Sequence, residues 1–207
     1  MEYKLKIIYN ELTKLYPEAG CGLEYRTAFE LLVATILSSQ CTDKKVNKIT
    51  NELFKVANTP EQILELGREG LINYIKSAGL YHNKSKNMLK TCEILLSEYG
   101  GEVPNTRKGL EKLPGVGRKT ANVVLANAFN IPAFAVDTHV FRVANRLGIS
   151  RGNTALEVEK ELTEKIPEEY WGIFHHLLIY HGRNICKARN PECKACSLYI
   201  NCDNPVD

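Results

Sequence analysis

Lys119 sits in the string Leu113-Pro114-Gly115-Val116-Gly117-Arg118-Lys119-Thr120-Ala121. A short helical pattern ends near Leu113 and a second begins near Gly117, so two glycines flank one apolar residue in the turn between them. Glycines there let the backbone approach another molecule closely and take φ > 0 without penalty. The N–H groups opening the second helix point outward at the positive end of its dipole, which suits a phosphate. A cation is disfavoured in that first turn, and Arg118 stands beside it. Both effects favour the neutral, nucleophilic amine that a Schiff-base lysine requires. The alternatives are an ordinary αα-turn for the glycines and a lysine that only contacts phosphate.

A second candidate is Asp137, in Ala135-Val136-Asp137-Thr138-His139-Val140-Phe141-Arg142. It closes a short apolar run and precedes an apolar-periodic helix. A buried, ionised carboxylate suits that place, and so does a plain helix N-cap. The spacing Cys186-x6-Cys193-x2-Cys196-x5-Cys202 supplies four thiolates. Such a set holds a tetrahedral zinc or an iron–sulfur cluster, and the unequal loops suit a cubane better than paired knuckles. Lys187, Arg189 and Lys194 project three cations beside it, either a phosphate-contacting surface or a solvated loop.

These residues must be positioned by helices. Leu5, Ile8, Leu12 and Leu15 give one apolar face, ended by Pro17 and Gly20. Thr27 with Glu30 reads as a capping box before a nearly all-apolar helix, and Val46, Ile49, Leu53 and Phe54 form another stripe. Thr59-Pro60-Glu61-Gln62 combines a cap, an N1 proline and a capping-box glutamine. Further helices are expected over 71–78, 85–99, 106–113, 119–129, 138–147, 155–165 and 168–181. Gly79, Gly100, Gly148 and Gly182 are placed to cap helix C-termini. No Asn-Gly or Asp-Gly hairpin joins alternating runs, so the expected class is all-α.

The 207 residues carry a net charge of +3, too little to announce a nucleic-acid partner by itself. No apolar run approaches the roughly 18 residues of a membrane span, and the start has no secretory look. A cytoplasmic, nucleoid-associated protein with reduced thiols is expected, so the crowded cysteines read as metal ligands rather than disulfides.

Jointly, the hairpin with Lys119, the Val136-Asp137-Thr138-His139 segment, the run His175-His176-Leu177-Leu178-Ile179-Tyr180-His181-Gly182-Arg183 and the cysteine spacing resemble the endonuclease III family. Leu37-Ser38-Ser39-Gln40-Cys41-Thr42-Asp43 is similar to its Leu-Ser-x-Gln-x-Thr-Asp segment, and the resemblance covers essentially the whole chain. It implies two all-α domains with DNA bound in the cleft between them. One is a six-helix domain over about residues 21–131 carrying the helix–hairpin–helix; the other joins 1–20 to 132–207 and carries a [4Fe–4S] cluster on Cys186, Cys193, Cys196 and Cys202.

The resemblance further implies a base-excision-repair glycosylase with lyase activity, acting as a monomer on oxidised or ring-saturated pyrimidines in duplex DNA. Lys119 matches the family's nucleophile and Asp137 its catalytic carboxylate. Gln40 and Leu80 match residues that fill the gap left by the extruded base, backed by the helix from Leu32 to Leu37. Further DNA contacts are expected from Gly115, Val116, Gly117, Arg118, Thr120, His139, Lys187, Arg189 and Lys194. Cys41 departs from the pattern, standing where a small residue such as alanine is expected. Adenine-specific mismatch relatives generally lack the lysine and carry an added C-terminal domain, whereas this sequence has Lys119 and ends five residues after Cys202. A non-catalytic DNA-binding module with a structural zinc is the reading from another class.

Overall fold

The computed structural model describes residues 1–206, and every regular element among them is helical. The helices are α1 (Tyr3–Leu15), α2 (Ala28–Ser38), α3 (Asp43–Leu53), α4 (Pro60–Ile75), α5 (Tyr81–Tyr99), α6 (Arg107–Leu110), α7 (Arg118–Ala128), α8 (Thr138–Leu147), α9 (Ala155–Lys165) and α10 (Trp171–Asn184). Single 3-10 turns lie at Glu168–Tyr170, Cys193–Ala195 and Tyr199–Asn201. No helix among the described residues is long and apolar enough to cross a membrane. The chain forms two compact units, residues 21–131 and residues 1–20 with 132–207.

In the unit of residues 21–131, α2 is the central post. Nine consecutive residues, Phe29 to Leu37, are buried, as an all-round apolar helix must be. Packed against it are α3, α5 and α7, and α4 pairs with α5. Among the described residues, three helices start with the same reciprocal device. Thr27, Thr59 and Thr154 each accept an N–H bond from the residue three places on. The side chains of Glu30, Gln62 and Glu157 then reach back to the amides of Arg26, Asn58 and Asn153, one residue before the cap rather than the cap itself.

In the other unit, α1 lays Leu5, Ile8 and Leu12 into a core shared with Phe134, Val136, Val140, Val143, Leu147, Leu162, Phe174 and Leu178. Fully burying each of those α1 side chains contributes about 2 kcal/mol, so this face fixes the N-terminal helix firmly.

Several expected boundaries move. The helix predicted over 71–78 is the end of α4, which begins at Pro60, breaks at Gly67 (φ 63°, ψ −177°) and stops at Ile75. Gly100 and Gly148 do cap helices in the left-handed region, at φ 61° and 73°. Gly79 does not, because the cap of α4 is Lys76. Gly182 lies inside α10, where a Cβ would stand 3.0 Å from His139 Cβ, so it is glycine for close packing against α8. Helix α5 starts four residues before the expected Ser85, on the left-handed Leu80, an N-cap that no capping preference announces.

Candidate DNA-binding and catalytic site

The hairpin between α6 and α7 is held from inside. Val116 is buried and its amide bonds the Leu113 carbonyl at 3.0 Å, while Thr91 Oγ1 donates to the Pro114 carbonyl at 3.2 Å. Arg107 Nε donates to Oδ1 of the fully buried Asn122, locking α6 to α7. Gly115 has φ +82°, and a Cβ there would meet Asn87 Nδ2 at 2.9 Å. Both conformation and the close approach of α5 therefore require glycine. Gly117 is different: its backbone is extended and nothing lies within 4 Å of a Cβ. As the N-cap of α7 it offers no side chain to the amides of the first turn, which open beside exposed Lys119 and half-buried Thr120.

Lys119 has a neighbour that sequence spacing does not suggest. Cys21 has its thiol pushed up by burial, against a bond from the Leu23 backbone, and it feels the charges of both Asp43 and Lys119. The exposed Gln40 and Leu80, also in this unit, are both left-handed, at φ 54° and 59°.

Asp137 lies in the other unit, at the end of the buried extended segment Ala133–Val136. Its Oδ1 accepts from His139 N at 2.8 Å and Val140 N at 2.9 Å, so it is the N-cap of α8. The half-buried carboxylate is thus held in one orientation by two backbone donors. His139 Nδ1 is 3.1 Å from Arg142 Nη2.

Helix α8 is bolted to the cysteine loop. Arg142 donates to the carbonyls of Cys186 at 3.0 Å and Gly182 at 2.8 Å. Arg146 donates to the Lys187 carbonyl at 2.7 Å and reaches Cys186 Sγ at 3.5 Å. The last turn of α8 is closed by the tail, through Asn204 N to the Arg146 carbonyl at 2.9 Å. Motif spacing points to neither arginine. The signal available in the sequence is their i, i+4 placement on one face of a strongly amphipathic helix.

Cys186, Cys193, Cys196 and Cys202, all half-buried, line one cavity with Arg146, His181 and Ile185. Burial above all pushes up the thiols of Cys196 and Cys202; the backbone at Leu198 and Asn204 opposes this, and the other cysteines of the loop add to it. Val206 N–H lies 3.4 Å from Cys193 Sγ. Burial holds His181 down to about 4, so its neutral ring bridges Tyr16 Oη at 3.2 Å and Cys196 Sγ at 3.6 Å. Among the described residues, no three Cys, His, Asp or Glu side chains are placed to hold a single metal ion. Thiolates around one zinc would stand about 3.8 Å apart, given Zn–S bonds of roughly 2.3 Å. The four thiols line one cavity and are a donor set of the chemical kind that either a zinc ion or an iron–sulfur cluster uses.

In the same loop Lys187 Nζ is paired with Glu192 Oε1 at 2.5 Å, while Arg189 and Lys194 are exposed.

The profile of the HhH-GPD superfamily base excision DNA repair proteins matches residues 33–168. Endonuclease III of Rickettsia prowazekii is 52% identical over 196 residues, covering 95% of this chain and 92% of that relative. Endonuclease III of Escherichia coli is 50% identical, covering 95% and 93%. A structure of a trapped covalent intermediate between endonuclease III and DNA superposes with a TM-score of 0.91 at 50% identity, covering 98% of this chain and 97% of that one.

Proposed function

The chain belongs to the endonuclease III family of the HhH-GPD superfamily, and from that premise we propose how its own residues carry out base excision. It is a base-excision-repair glycosylase and lyase, and its partner is double-stranded DNA holding a damaged base or abasic site. Its substrates are oxidised or ring-saturated pyrimidines, turned out of the stack before reaction. Gln40 and Leu80 fill the gap that the extruded nucleotide leaves. The hairpin amides after Gly117, with Arg118 and Thr120, grip a backbone phosphate without reading bases; Gly115 and Val116 shape that turn. His139, Lys187, Arg189 and Lys194 add DNA contacts. The units 21–131 and 1–20 with 132–207 are its helix–hairpin–helix and iron–sulfur domains. It works in the cytoplasm, at the nucleoid, as a monomer.

Lys119 Nζ, as the neutral amine, attacks C1′ and the damaged base departs with the electrons of the glycosidic bond. Asp137 holds a negative charge against the positive charge that develops on the sugar. Ring opening leaves an imine between Lys119 and C1′, which acidifies the C2′ hydrogen. Loss of that proton expels the 3′ phosphate by β-elimination, so one covalent link serves both reactions.

Cys186, Cys193, Cys196 and Cys202 would hold a [4Fe–4S] cluster. When bound, it supplies a one-electron centre and a fixed fold for the cationic loop.

The observation that carries this reading is the position of Lys119, exposed in the first turn of a helix whose glycine cap offers the first-turn amides no side chain. Lys119→Gln is expected to abolish borohydride trapping on lesion-bearing duplex while retaining DNA binding; continued trapping by that variant would refute the assignment.

A further inference from the structure

Gln40 and Leu80 share a strained backbone. Each is a side-chain-bearing residue in the left-handed region, at φ 54° and 59°, and such residues persist there only when their surroundings hold them. Their two turns are also neighbours: a Cβ on Gly79 would lie 3.7 Å from the Gln40 carbonyl oxygen. One residue reaches both. Lys84, in the first turn of α5, donates its main-chain N–H to the Leu80 carbonyl at 3.0 Å. Its side chain runs back through the core, where Nζ donates to the Leu37 carbonyl at 2.9 Å and the Ser39 carbonyl at 2.7 Å. The Ser39 carbonyl belongs to the peptide that leads into Gln40.

Lys84 is only 4% exposed, and its ammonium is held by main-chain carbonyls rather than by a carboxylate. Burying a cation on neutral acceptors is costly, and an apolar side chain of the same length would fill the space without that cost. The last turn of α2 and the peptide before Gln40 would then lose the donor that holds them. A buried lysine at this point therefore specifies the conformation of a turn more than it adds to the core.

We propose that Lys84 is a positioning residue that locks the Gln40 and Leu80 turns into one rigid two-pronged element, so that both side chains enter the duplex together as the nucleotide leaves. The inference rests on the reading of Gln40 and Leu80 as gap-filling residues. A rigid pair presents its prongs at fixed spacing, whereas two independent turns would each have to be ordered at the moment of extrusion.

The test uses the full-length, cluster-loaded protein in single-turnover excision, with 2-aminopurine beside the lesion reporting extrusion. Two duplexes are compared: a ring-saturated pyrimidine opposite a normal base, and the same lesion opposite an abasic gap, where no orphaned partner needs support. Lys84→Met is expected to slow excision on the paired duplex roughly tenfold, with a matching loss of 2-aminopurine signal, and by under about twofold opposite the gap. Lys84→Arg, which keeps charge and donors, is expected to restore most of the paired-duplex rate. Equal slowing on both duplexes, or none on either, overturns the proposal. The Gln40→Ala/Leu80→Ala double variant checks the underlying reading separately: it must itself slow the paired duplex, and adding Lys84→Met to it must cost little more. A double variant as fast as wild type refutes gap filling, whereas a slow one with a fully additive Lys84→Met refutes only the coupling. If Lys84→Met does not fold, Lys84→Gln replaces it in the same comparison, with the same rates expected and the same results overturning the proposal.

Discussion

The N-termini of α7 and α8 begin from the same physics and are used in opposite ways. Each opens with amides that lack helical partners at the positive end of a dipole. At α8 those amides are satisfied internally, because Asp137 Oδ1 takes the His139 and Val140 N–H groups. At α7 the cap is Gly117, which has no side chain to give. One helix end carries its own anion and holds it in a fixed orientation; the other has no side-chain cap, which is why it is proposed to take a phosphate from outside. On that proposal, a single capping position decides whether a helix terminus is structure or binding site.

The largest effect expected from breaking this contrast is at Asp137. Asp137→Asn keeps an oxygen at the cap but removes the charge. Excision should slow by about 10²–10³-fold in single-turnover assays, with a thermal midpoint close to wild type. A large drop in that midpoint with near-normal excision would mean the residue is a cap and nothing more. Next comes the reverse experiment, Gly117→Asp, which gives α7 the same closed end. It should add a few tenths of a kcal/mol to stability. Affinity for duplex DNA should fall about a hundredfold, since a carboxylate would then face the phosphate. Unchanged affinity in a titration would show that the terminus is not a phosphate site. The smallest effect is Gly115→Ala, expected to destabilise by about 1–2 kcal/mol because of its positive φ and its contact with Asn87. Denaturant unfolding measures this, and a neutral result would mean that the turn can be rebuilt.

Much of this is legible in the sequence because it depends on local rules. The Thr caps, the α2 run and the limits of α8 and α9 follow from periodicity and capping within a few residues. Gly182 misleads for the same reason: a glycine near a helix end looks like a cap until His139 of another helix is seen against it. The left-handed Leu80 escapes because leucine has no preference for that conformation; the Lys84 bonds that accompany it come from a residue four positions on and close on carbonyls some 45 residues back. At the site, spacing groups the four cysteines, and Lys119 is singled out only through its motif's resemblance to a family, whereas Arg142, Arg146 and the Tyr16–His181 bridge depend on pairings across long separations.

The unit built from residues 1–20 and 132–207 is discontinuous, and this has a consequence for synthesis. Leu5, Ile8 and Leu12 of α1 leave the ribosome well before Phe174 and Leu178 of α10, on which that face depends and which follow about 160–175 residues later. At about 5–20 residues per second, the apolar strip waits on the order of ten to thirty seconds for its cover. Meanwhile the segment from 21 to 131 emerges without interruption, free to fold as one cooperative piece. The middle unit can thus be complete in the nascent chain before its two flanks meet, and until then the apolar face of α1 lacks the α10 side chains that cover it.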